Sequence, residues 1–399
     1  MTDARRGVPV SHTDYREPTG PCGHYALLDA EREASPCYWN DSTAAGFWMV
    51  TRYEDVLRCF QDAPAFTNKV TSALNPVRGI DILPQMLDGE PHAALRRVLN
   101  RYFAPAVVRR IEPFALARCR ELIGELRPAG GCDFVAEFAI RYPTDVFLHL
   151  MGLPVADGEF FVGWVEQIFA GIFGGDHAAA QEASGRLRDY FARVVAERRR
   201  SPIDPDVDLI SRLLAARAGD EAITEDDILT ICVTLVMAGL DTTRSALGYM
   251  FWHLARHERE RRALAARPDL APAAVEEFVR LYPLVIQAGR EVDGQTRVGG
   301  LELTGGDIVW LGIGSANRDP RQFPEPEKFI LGREHVNQHL GFGAGPHRCL
   351  GMHLARAELA IVLREWHQRI PDYWIAADTP ITERGSQLAL RSLPLAWKP

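Results

Sequence analysis

The sequence has no surplus of positive charge. Its 399 residues include 45 Lys and Arg against 53 Asp and Glu, and the formal net charge is −8. A general nucleic-acid binder needs a basic face that replaces phosphate counterions, so the composition argues against that class of protein. Any basic patch must be local. With 47% apolar and 25% charged residues, the chain has the composition of a globular protein.

Long apolar runs and a targeting segment are also absent. The first 20 residues are polar, and they carry Asp3, Arg5, Arg6 and Asp14, so we expect neither a secretory signal nor a membrane anchor. The longest apolar stretch, residues 228–240, is interrupted by two threonines and is shorter than the roughly 20 residues of a membrane span. We therefore expect a soluble, cytoplasmic protein without a membrane or nucleic-acid partner.

Cysteine is scarce and shows no paired spacing. The seven cysteines lie at positions 22, 37, 59, 119, 132, 232 and 349. An odd number spread over this length is typical of reduced thiols and not of a disulfide framework. A zinc site around position 349 is disfavoured, because the nearby His347 and His353 do not complete a chelating pattern. An isolated redox thiol remains an alternative, although it leaves the other motifs unexplained.

The apolar periodicity predicts a mainly α fold with small β-sheets. Helical patterns cover residues 53–60, 93–103, 105–125, 134–151, 159–172, 178–199, 206–216, 225–255 and 273–281. Thr224 and three following acids predict the start of the longest helix, and Pro272 suits the first turn of the last one. Strands are predicted twice between residues 37 and 51, the second being Phe47–Val50, and again between residues 285 and 311. Residues 317–333 read as an extended meander.

Domain organisation follows from the absence of repeats, low-complexity tracts and interdomain linkers. We expect a single domain over residues 1–399, with a β-rich N-terminal part at about 1–65 and a helical core at about 88–399. Glycine pairs at 299–300 and 305–306 are the predicted turns between the later strands.

The most informative stretch surrounds Cys349. Residues 342–351 read Phe-Gly-Ala-Gly-Pro-His-Arg-Cys-Leu-Gly and lead directly into a helical pattern. A thiolate at a helix N-terminus is favoured by the positive end of the helix dipole and by free backbone N–H groups, and a metal ligand must be deprotonated. Gly343, Gly345 and Gly351 would let the backbone approach a flat cofactor or the sulfur closely. If the cysteine is considered alone, the simpler interpretation is a buried structural residue beside a glycine-rich turn.

These ten residues match the signature Phe-Gly-x-Gly-x-His-x-Cys-x-Gly, and the chain resembles the cytochrome P450 family. The resemblance runs from the strands near Cys37 to the C-terminus and is strongest over residues 225–399. It implies a P450 fold in which haem b lies between the long central helix and the helix after the cysteine loop. Cys349 is then the thiolate ligand of the iron, and the resemblance adds three haem-binding residues: Ala238, Phe342 and Gly351.

A second motif, Ala-Gly-Leu-Asp-Thr-Thr at residues 238–243, interrupts the apolar helix. An acid and hydroxyls there are costly unless they are hydrogen-bonded or used. In a structural role, Asp241 pairs with Arg244 and the threonines bond to carbonyls one turn earlier. The resemblance instead assigns Asp241 and Thr242 to catalytic proton delivery for dioxygen cleavage, with Gly239 leaving space for oxygen and a local widening of the helix.

The resemblance also implies a buried charge network. A Glu and an Arg three residues apart on a helix usually form a solvated pair worth about 0.2–0.5 kcal/mol. In the P450 family such a pair joins an arginine of the meander, and together they hold the cysteine loop. The residues at the matching positions are Glu277, Arg280 and Arg333.

Two haem propionates call for nearby cations or donors. By resemblance, His92 and Arg96 on a predicted helix, Arg290 on a strand and His347 in the cysteine loop bind them. Each of these residues taken singly could be an ordinary surface charge. The four together match the family pattern.

The activity that the resemblance implies is the insertion of one oxygen atom from O2 into a small hydrophobic substrate. The chain has no flavin or iron–sulfur motif, so electrons must come from a separate ferredoxin, or a flavodoxin, with its NAD(P)H-dependent reductase. A local basic patch would dock this donor, although scattered solubilising charge is the alternative. The patch consists of Arg97, Arg101, Arg109, Arg110 and Arg348.

The expected substrate pocket is mostly apolar, which suits a terpenoid, steroid, polyketide or aromatic compound. Its walls come from segments 66–85 and 160–173 and from single residues, with Asn75 and Gln287 as orienting groups. The single residues are Met237, Ala238, Val285, Ile286, Gln287 and Leu388. A peroxygenase or a ring-forming or coupling oxidase on the same scaffold is the alternative enzyme. A non-enzymatic haem sensor would require a signalling domain.

Overall fold

The fold is mainly helical. The computed structural model describes residues 2–3, 7–17, 19–74, 76, 82–174, 176–219, 221–376, 380–384 and 387–399. The helices are α1 (Gly23–Ala34), α2 (Tyr53–Gln61), α3 (Gly89–Tyr102), α4 (Pro105–Leu126), α5 (Arg141–Leu150), α6 (Gly158–Gly174), α7 (His177–Arg200), α8 (Leu209–Ala215), α9 (Glu225–Arg256), α10 (Glu258–Ala266), α11 (Ala271–Leu281), α12 (Ile313–Ala316) and α13 (Met352–Arg369). This architecture confirms the predicted fold class.

The strands are short. They are β1 (Thr2–Asp3), β2 (Val8–Ser11), β3 (Cys37–Asn40), β4 (Phe47–Val50), β5 (Phe66–Thr67), β6 (Gly131–Asp133), β7 (Arg217–Ala218), β8 (Glu221–Ala222), β9 (Ala288–Val292), β10 (Gln295–Val298), β11 (Leu301–Thr304), β12 (Ile308–Leu311), β13 (Tyr373–Ile375), β14 (Glu383–Arg384), β15 (Ala389–Leu390) and β16 (Pro394–Trp397). Over the described residues they form one seven-stranded sheet, a three-stranded sheet and three two-stranded ribbons.

The seven-stranded sheet joins distant parts of the chain. Its strand order is β1-β2-β3-β4-β12-β9-β5. The parallel pairing of β4 with β12 brings the strands predicted near residue 40 next to those predicted after residue 285. The first 65 residues also contain α1 and α2, so they are not purely β. The boundaries of the two parts and the single domain stay predictions.

Helix α9 runs through the centre of the molecule. Thr224 and Asp227 form a capping box at its start, as the hydroxyl and the three acids predicted. The helix contacts α5, α6 and α7. Within the described chain it is the one helix long and apolar enough to cross a membrane, but most of its apolar window is buried, which is also true of core helices in soluble proteins.

Several predicted boundaries shift for local reasons. The pattern at 134–151 divides into a π-helical turn, Val135–Ala139, followed by α5. Helix α8 starts later than predicted, because the Asp208 carboxylate accepts a hydrogen bond of 2.7 Å from the Ser211 N–H and caps the helix. Helices α1 and α10 and strands β13 to β16 were not predicted.

Candidate active site

The cysteine loop closes on itself immediately before α13. The Cys349 N–H donates to the Phe342 carbonyl at 2.8 Å, and the Gly343 N–H donates to the Leu340 carbonyl at 2.8 Å. Gly343 and Gly345 adopt φ values of +66° and +67°, which L side chains rarely adopt. Gly351 precedes the first residue of α13, so the loop delivers the Cys349 thiol to a helix N-terminus, as predicted.

Opposing effects act on the pKa of the Cys349 thiol. Burial raises its pKa, whereas the Gly351 N–H and the charges of Arg96, Arg356 and Arg348 lower it, and burial prevails. All seven cysteines are described, and Cys349 alone among them is exposed, so its sulfur is both enclosed by protein and open on one side. The helix terminus alone therefore does not ionise the thiol. A bound metal cation would do so.

Glycine at position 345 is required by packing against α2. A Cβ there would lie 2.1 Å from the Phe60 carbonyl oxygen, at the end of α2. At Gly351 a Cβ would meet no atom within 4 Å. Close approach at a glycine was expected in this loop, and at Gly345 one such neighbour is the protein backbone itself.

Arg290 on β9 is a buried cation. Its side chain is 4% exposed, and its guanidinium donates to the Gly289 carbonyl at 2.7 Å and lies over the Phe60 ring. Burial lowers its pKa to about 10. No carboxylate of the described residues forms an ion pair with it, and a buried unpaired charge is costly. The site therefore fits an anionic ligand such as a haem propionate.

His92 on α3 and His347 in the cysteine loop stack with ring centroids 3.9 Å apart. The buried Nε2 of His92 has no hydrogen-bond partner among the described residues, and burial and the charges of His347 and Arg96 lower the pKa of His92 to about 4. Arg96 donates to the Arg348 carbonyl at 2.8 Å, while its buried Nε lacks a partner in the same described set. These free donors also fit a propionate.

Asp88 was missed by the sequence reasoning. Its carboxylate accepts from the Asn68 N–H at 2.8 Å and lies 3.2 Å from Nε2 of His347. Burial opposes ionisation of Asp88, but these hydrogen bonds outweigh it and hold its pKa below the usual value. Asp88 thereby orients His347. Its position directly before α3 suggests only a helix cap, a role that its side chain does not take.

Asp241 on α9 is fully buried and held by three partners. The Arg244 guanidinium lies 3.0 Å from Oδ1, Gln387 Nε2 donates to Oδ2 at 2.8 Å, and Arg384 also binds Oδ2. The contact with Arg244 is the structural pairing considered above. Arg384 and Gln387 lie on the C-terminal hairpin, more than 140 residues away in sequence, and no sequence pattern pointed to them.

Thr242 donates its hydroxyl to the Ala238 carbonyl at 2.7 Å, one turn earlier. Ala238 is exposed and Thr242 partly exposed, although Asp241 between them is buried. The expected local widening of the helix is wrong, because α9 is a regular α-helix throughout. Gly239 packs against Phe147, because a Cβ there would lie 2.8 Å from the Phe147 ring; its role in leaving space for oxygen stays a prediction.

The predicted charge network is fully assembled. Glu277 binds Arg280 at 2.7 and 2.8 Å and Arg333 at 2.9 and 3.1 Å, with all three side chains buried. Burial lowers the pKa of Arg280, against the influence of Glu277. The arginines also donate to carbonyls of residues 317, 324, 325, 326 and 328, so the network fixes the meander.

Glu276, the residue before Glu277, fixes the cysteine loop. The sequence did not predict this role. Arg356 on α13 binds Glu276 at 2.6 and 2.8 Å and lies 4.5 Å from the Phe342 ring centroid. His339 lies 3.2 Å from the same carboxylate. Burial raises the pKa of Glu276, but Arg356 and His339 prevail and lower it to about 2.

The proposed pocket residues lie in different surroundings. Val285 is 37% exposed, and Gln287 donates to the Ser72 hydroxyl at 2.9 Å. Ile286 and Leu388 are fully buried in the hydrophobic core, so their burial does not support the prediction that they line the pocket. Met237 is partly buried. Asn75 lies outside the described residues, as does much of segment 66–85. The five arginines of the basic patch are all exposed.

A single open cysteine before a helix, with buried cations and unpaired donors around it, defines the site of a haem–thiolate protein. The cytochrome P450 family profile matches residues 163–369. The chain is 32% identical to the probable cytochrome P450 127A1 of Sinorhizobium fredii, over 94% of this chain and 90% of that protein. It is 31% identical to the mycinamicin IV hydroxylase/epoxidase of Micromonospora griseorubida over the full length of both.

Solved structures agree. The crystal structure of CYP101J2 superposes with a TM-score of 0.88 at 30% identity, covering 98% of both chains. That of cytochrome P450 CYP101C1 gives 0.87 at 30% identity, over 98% of this chain and 99% of that one. The chain belongs to the cytochrome P450 family. It is a monooxygenase that uses a haem–thiolate cofactor, O2, an organic substrate and redox partners.

Proposed function

We propose that this P450 carries haem b and inserts one oxygen atom from O2 into a small hydrophobic compound in the cytoplasm. The observation that carries the proposal is the Cys349 thiol, open on one side at the start of α13. Haem bound there supplies the chemistry of O2 activation. Cys349 is its thiolate ligand, Phe342, Gly351 and Ala238 contact it, and His92, Arg96, Arg290 and His347 hold its propionates.

Thr242 and Asp241 handle protons in this proposal. The Thr242 hydroxyl donates its hydrogen to the Ala238 carbonyl, so the lone pairs of Oγ1 remain free to accept a hydrogen bond from water. Asp241 is engaged by Arg384 and Gln387. We infer that it must exchange one of these contacts for water before it can pass a proton towards Thr242.

A hydrophobic substrate is supported by accessible apolar side chains on α9 and on the segment that follows α11. Ala238 and Val285 are exposed and Met237 partly so, while Gln287 presents a buried Oε1 without a hydrogen-bond partner among the described residues. Two relatives point the same way in their names: a polyketide biosynthesis cytochrome P450 of Bacillus subtilis and a methyl-branched lipid omega-hydroxylase of Mycobacterium tuberculosis. Gln287 would orient the substrate through its amide.

The proposed electron donor is an acidic ferredoxin, or a flavodoxin, reduced by an NAD(P)H-dependent reductase. Although the chain as a whole is acidic, the five arginines at positions 97, 101, 109, 110 and 348 are exposed. Arg96 links this surface to the haem site, because it donates to the Arg348 carbonyl. Complementary charge there would steer the donor to the cysteine side.

Spectroscopy and product analysis test the proposal together. The reduced, carbon-monoxide-bound protein should show the red-shifted Soret band of a thiolate-ligated haem, and Cys349→Ala should abolish it. Thr242→Ala should keep the band but lower the yield of product per NAD(P)H about 10-fold or more, because the hydroxyl that passes protons to oxygen is removed. Thr242→Ser, which retains the hydroxyl, should restore most of the yield.

Three outcomes would contradict parts of this proposal. Absence of the band in the unaltered protein would exclude thiolate ligation. Equal yields for Thr242→Ala and the unaltered enzyme would remove the proton role of Thr242. Product formed with peroxide but never with O2 and a ferredoxin system would favour the peroxygenase alternative, in which proton delivery is bypassed.

A further inference from the structure

A cluster of two histidines and a glutamate lies at the junction of α9 and α10. His253, His257 and Glu260 each offer one ligand atom, and these three atoms lie within 4.8 Å of one another. Among the residues that the structure describes, it is the one such group of His, Cys, Asp and Glu. His253 is 11 residues beyond Thr242 on α9, about 16 Å along the helix axis. The cluster is thus separate from the haem site.

The local chain geometry brings the three residues together. His253 and His257 are spaced by four residues and His257 and Glu260 by three, so neighbours in the cluster are one helical turn apart. His257 ends α9 and precedes the first residue of α10. The carboxylate of Glu260 reaches back to contact Nε2 of His253.

The hydrogen bonds of the two imidazoles leave nitrogens available as ligands. His257 Nδ1 lies 2.8 Å from the His253 carbonyl, which can only accept, so Nδ1 carries the hydrogen and Nε2 keeps its lone pair. His253 Nδ1 lies 2.6 Å from the Tyr282 hydroxyl. Nε2 of His253 contacts the Glu260 carboxylate, which can only accept, so without metal Nε2 carries the hydrogen and Nδ1 accepts from Tyr282. A metal ion at Nε2 would displace that hydrogen, and Nδ1 would then donate to the Tyr282 oxygen. Anchoring of the opposite ring nitrogen is typical of metal-binding histidines.

Packing makes one side of the cluster rigid and leaves the other open. His253 is 3% exposed, and its ring packs against Phe278 and Phe329, with centroids 5.4 and 5.3 Å away. His257 is exposed and Glu260 partly so, which gives an ion access from solvent. The neighbouring Arg256 places its guanidinium over the Trp252 ring, and Glu260 contributes a negative charge.

We propose that Nε2 of His253, Nε2 of His257 and the Glu260 carboxylate bind one divalent transition-metal ion of the Zn²⁺ class, with water completing the coordination. Two imidazoles and one carboxylate suit Zn²⁺, whereas Ca²⁺ and Mg²⁺ require more oxygen ligands. The rings are stacked with planes 17° apart, so His257 must tilt towards His253 when the ion binds. Its exposure permits this movement.

Bound metal would act as a structural cross-link. It would tie the end of α9 to α10 and, through the hydrogen bond from His253 to Tyr282, to the residue that follows α11. Helix α11 carries Glu276 and Glu277, which fix the cysteine loop and the meander. Metal binding should therefore raise the thermal stability of the holoenzyme.

Zinc titration of the haem-loaded protein tests the proposal, because the Cys349 sulfur is then already coordinated. Calorimetry and zinc analysis after dialysis should give one Zn²⁺ per chain, and Zn²⁺ should raise Tm. His257→Ala and Glu260→Gln should each weaken binding at least 10-fold and remove most of the Tm shift. His335→Ala is the matched control: His335 is also exposed and lies beside a glutamate, and its loss should change neither quantity.

Two results would overturn the proposal: no stoichiometric Zn²⁺ binding by the unaltered holoenzyme, or equal affinity in the His257→Ala and Glu260→Gln variants. Both substitutions are at accessible positions, and an unchanged carbon-monoxide spectrum will show that each variant is folded. The buried His253 is left intact, so either variant suffices for the comparison if the other is unstable.

Discussion

Buried arginines in this protein fall into two kinds. Arg280 meets the Glu277 carboxylate and three backbone carbonyls, so its desolvation is compensated within the protein. Arg290 is also buried, but among the described residues it has only the Gly289 carbonyl and the face of Phe60. Since burying a guanidinium costs several kcal/mol in either case, Arg290 is best explained by an anionic ligand.

Arg290→Met should therefore loosen the haem. A charge-assisted hydrogen bond is worth about 1.5–3 kcal/mol, so the variant should release haem roughly 10- to 100-fold faster. Haem transfer to excess apomyoglobin measures this rate. Arg261→Met is the control, because Arg261 is also buried but already has a carboxylate partner, Asp372 at 3.8 Å, besides the Leu254 carbonyl. Equal release rates in the two variants would argue against a propionate at Arg290.

At the scale of elements, three helices hold the cysteine loop. The end of α2 packs against Gly345, α13 places Arg356 over Phe342, and α11 binds Arg356 through Glu276. The adjacent Glu277 fixes the meander that leads into the loop. The position of the Cys349 sulfur is thus set by packing on both sides of the loop.

Two glycines of this loop should respond differently to the same substitution. Gly345→Ala forces a Cβ against the Phe60 carbonyl at a φ of +67°, so the loop must shift and we expect a loss of about 2–4 kcal/mol in unfolding free energy. The carbon-monoxide band should weaken as the thiolate is displaced. Gly351→Ala has φ −83°, and its Cβ would meet no protein atom within 4 Å, so it should change the unfolding free energy little. The two variants are compared by unfolding free energy alone, because Gly351 is proposed to contact the haem. Similar effects in the two variants would contradict the packing explanation.

The elements that the sequence predicted are those with an apolar stripe or a marked end. The capping box at Thr224 and the strands β3 and β4 are examples. Helix α1 was missed because it buries His24 and Arg32, and α10 because it buries Arg261 beside a single leucine, so neither shows the expected apolar face. Strands of two to four residues near the C-terminus are too short to show alternation.

The candidate site, too, was predicted only where its residues form a local sequence pattern. Cys349, Glu277 and Arg280 lie in short local motifs, so the sequence predicted them. The roles of Asp88 and Glu276 and the two distant partners of Asp241 depend on contacts across 80 to 260 residues of sequence, such as Arg356 with Glu276 and His347 with Asp88. Nothing in the local spacing of a charged residue distinguishes such a contact from a solvated side chain.

At the scale of the whole molecule, buried titratable groups set the response to acid in separate pH ranges. Burial lowers the pKa of His367 to about 4, so this histidine is neutral in the fold and takes up a proton near pH 6.5 when unfolded. Burial raises the pKa of Glu276, but Arg356 and His339 lower it to about 2, so its contribution is lost only below about pH 4.5. Loss of stability between pH 6.5 and 4 thus reports on buried histidines.

His367→Gln should flatten this part of the stability curve. Above pH 6.5 the neutral His367 is at no disadvantage; as the pH falls towards 4, protonation favours the unfolded chain, which costs about 2 kcal/mol between pH 7.5 and 5. The glutamine cannot titrate, and His92 contributes equally to both proteins, so urea unfolding at these two pH values should show a smaller decrease for the variant. The exposed His335→Gln should behave as the unaltered protein does. An identical decrease in all three proteins would mean that His367 has the same pKa in the folded and unfolded protein, despite its burial and its contacts with the Leu363 carbonyl and the Tyr373 hydroxyl.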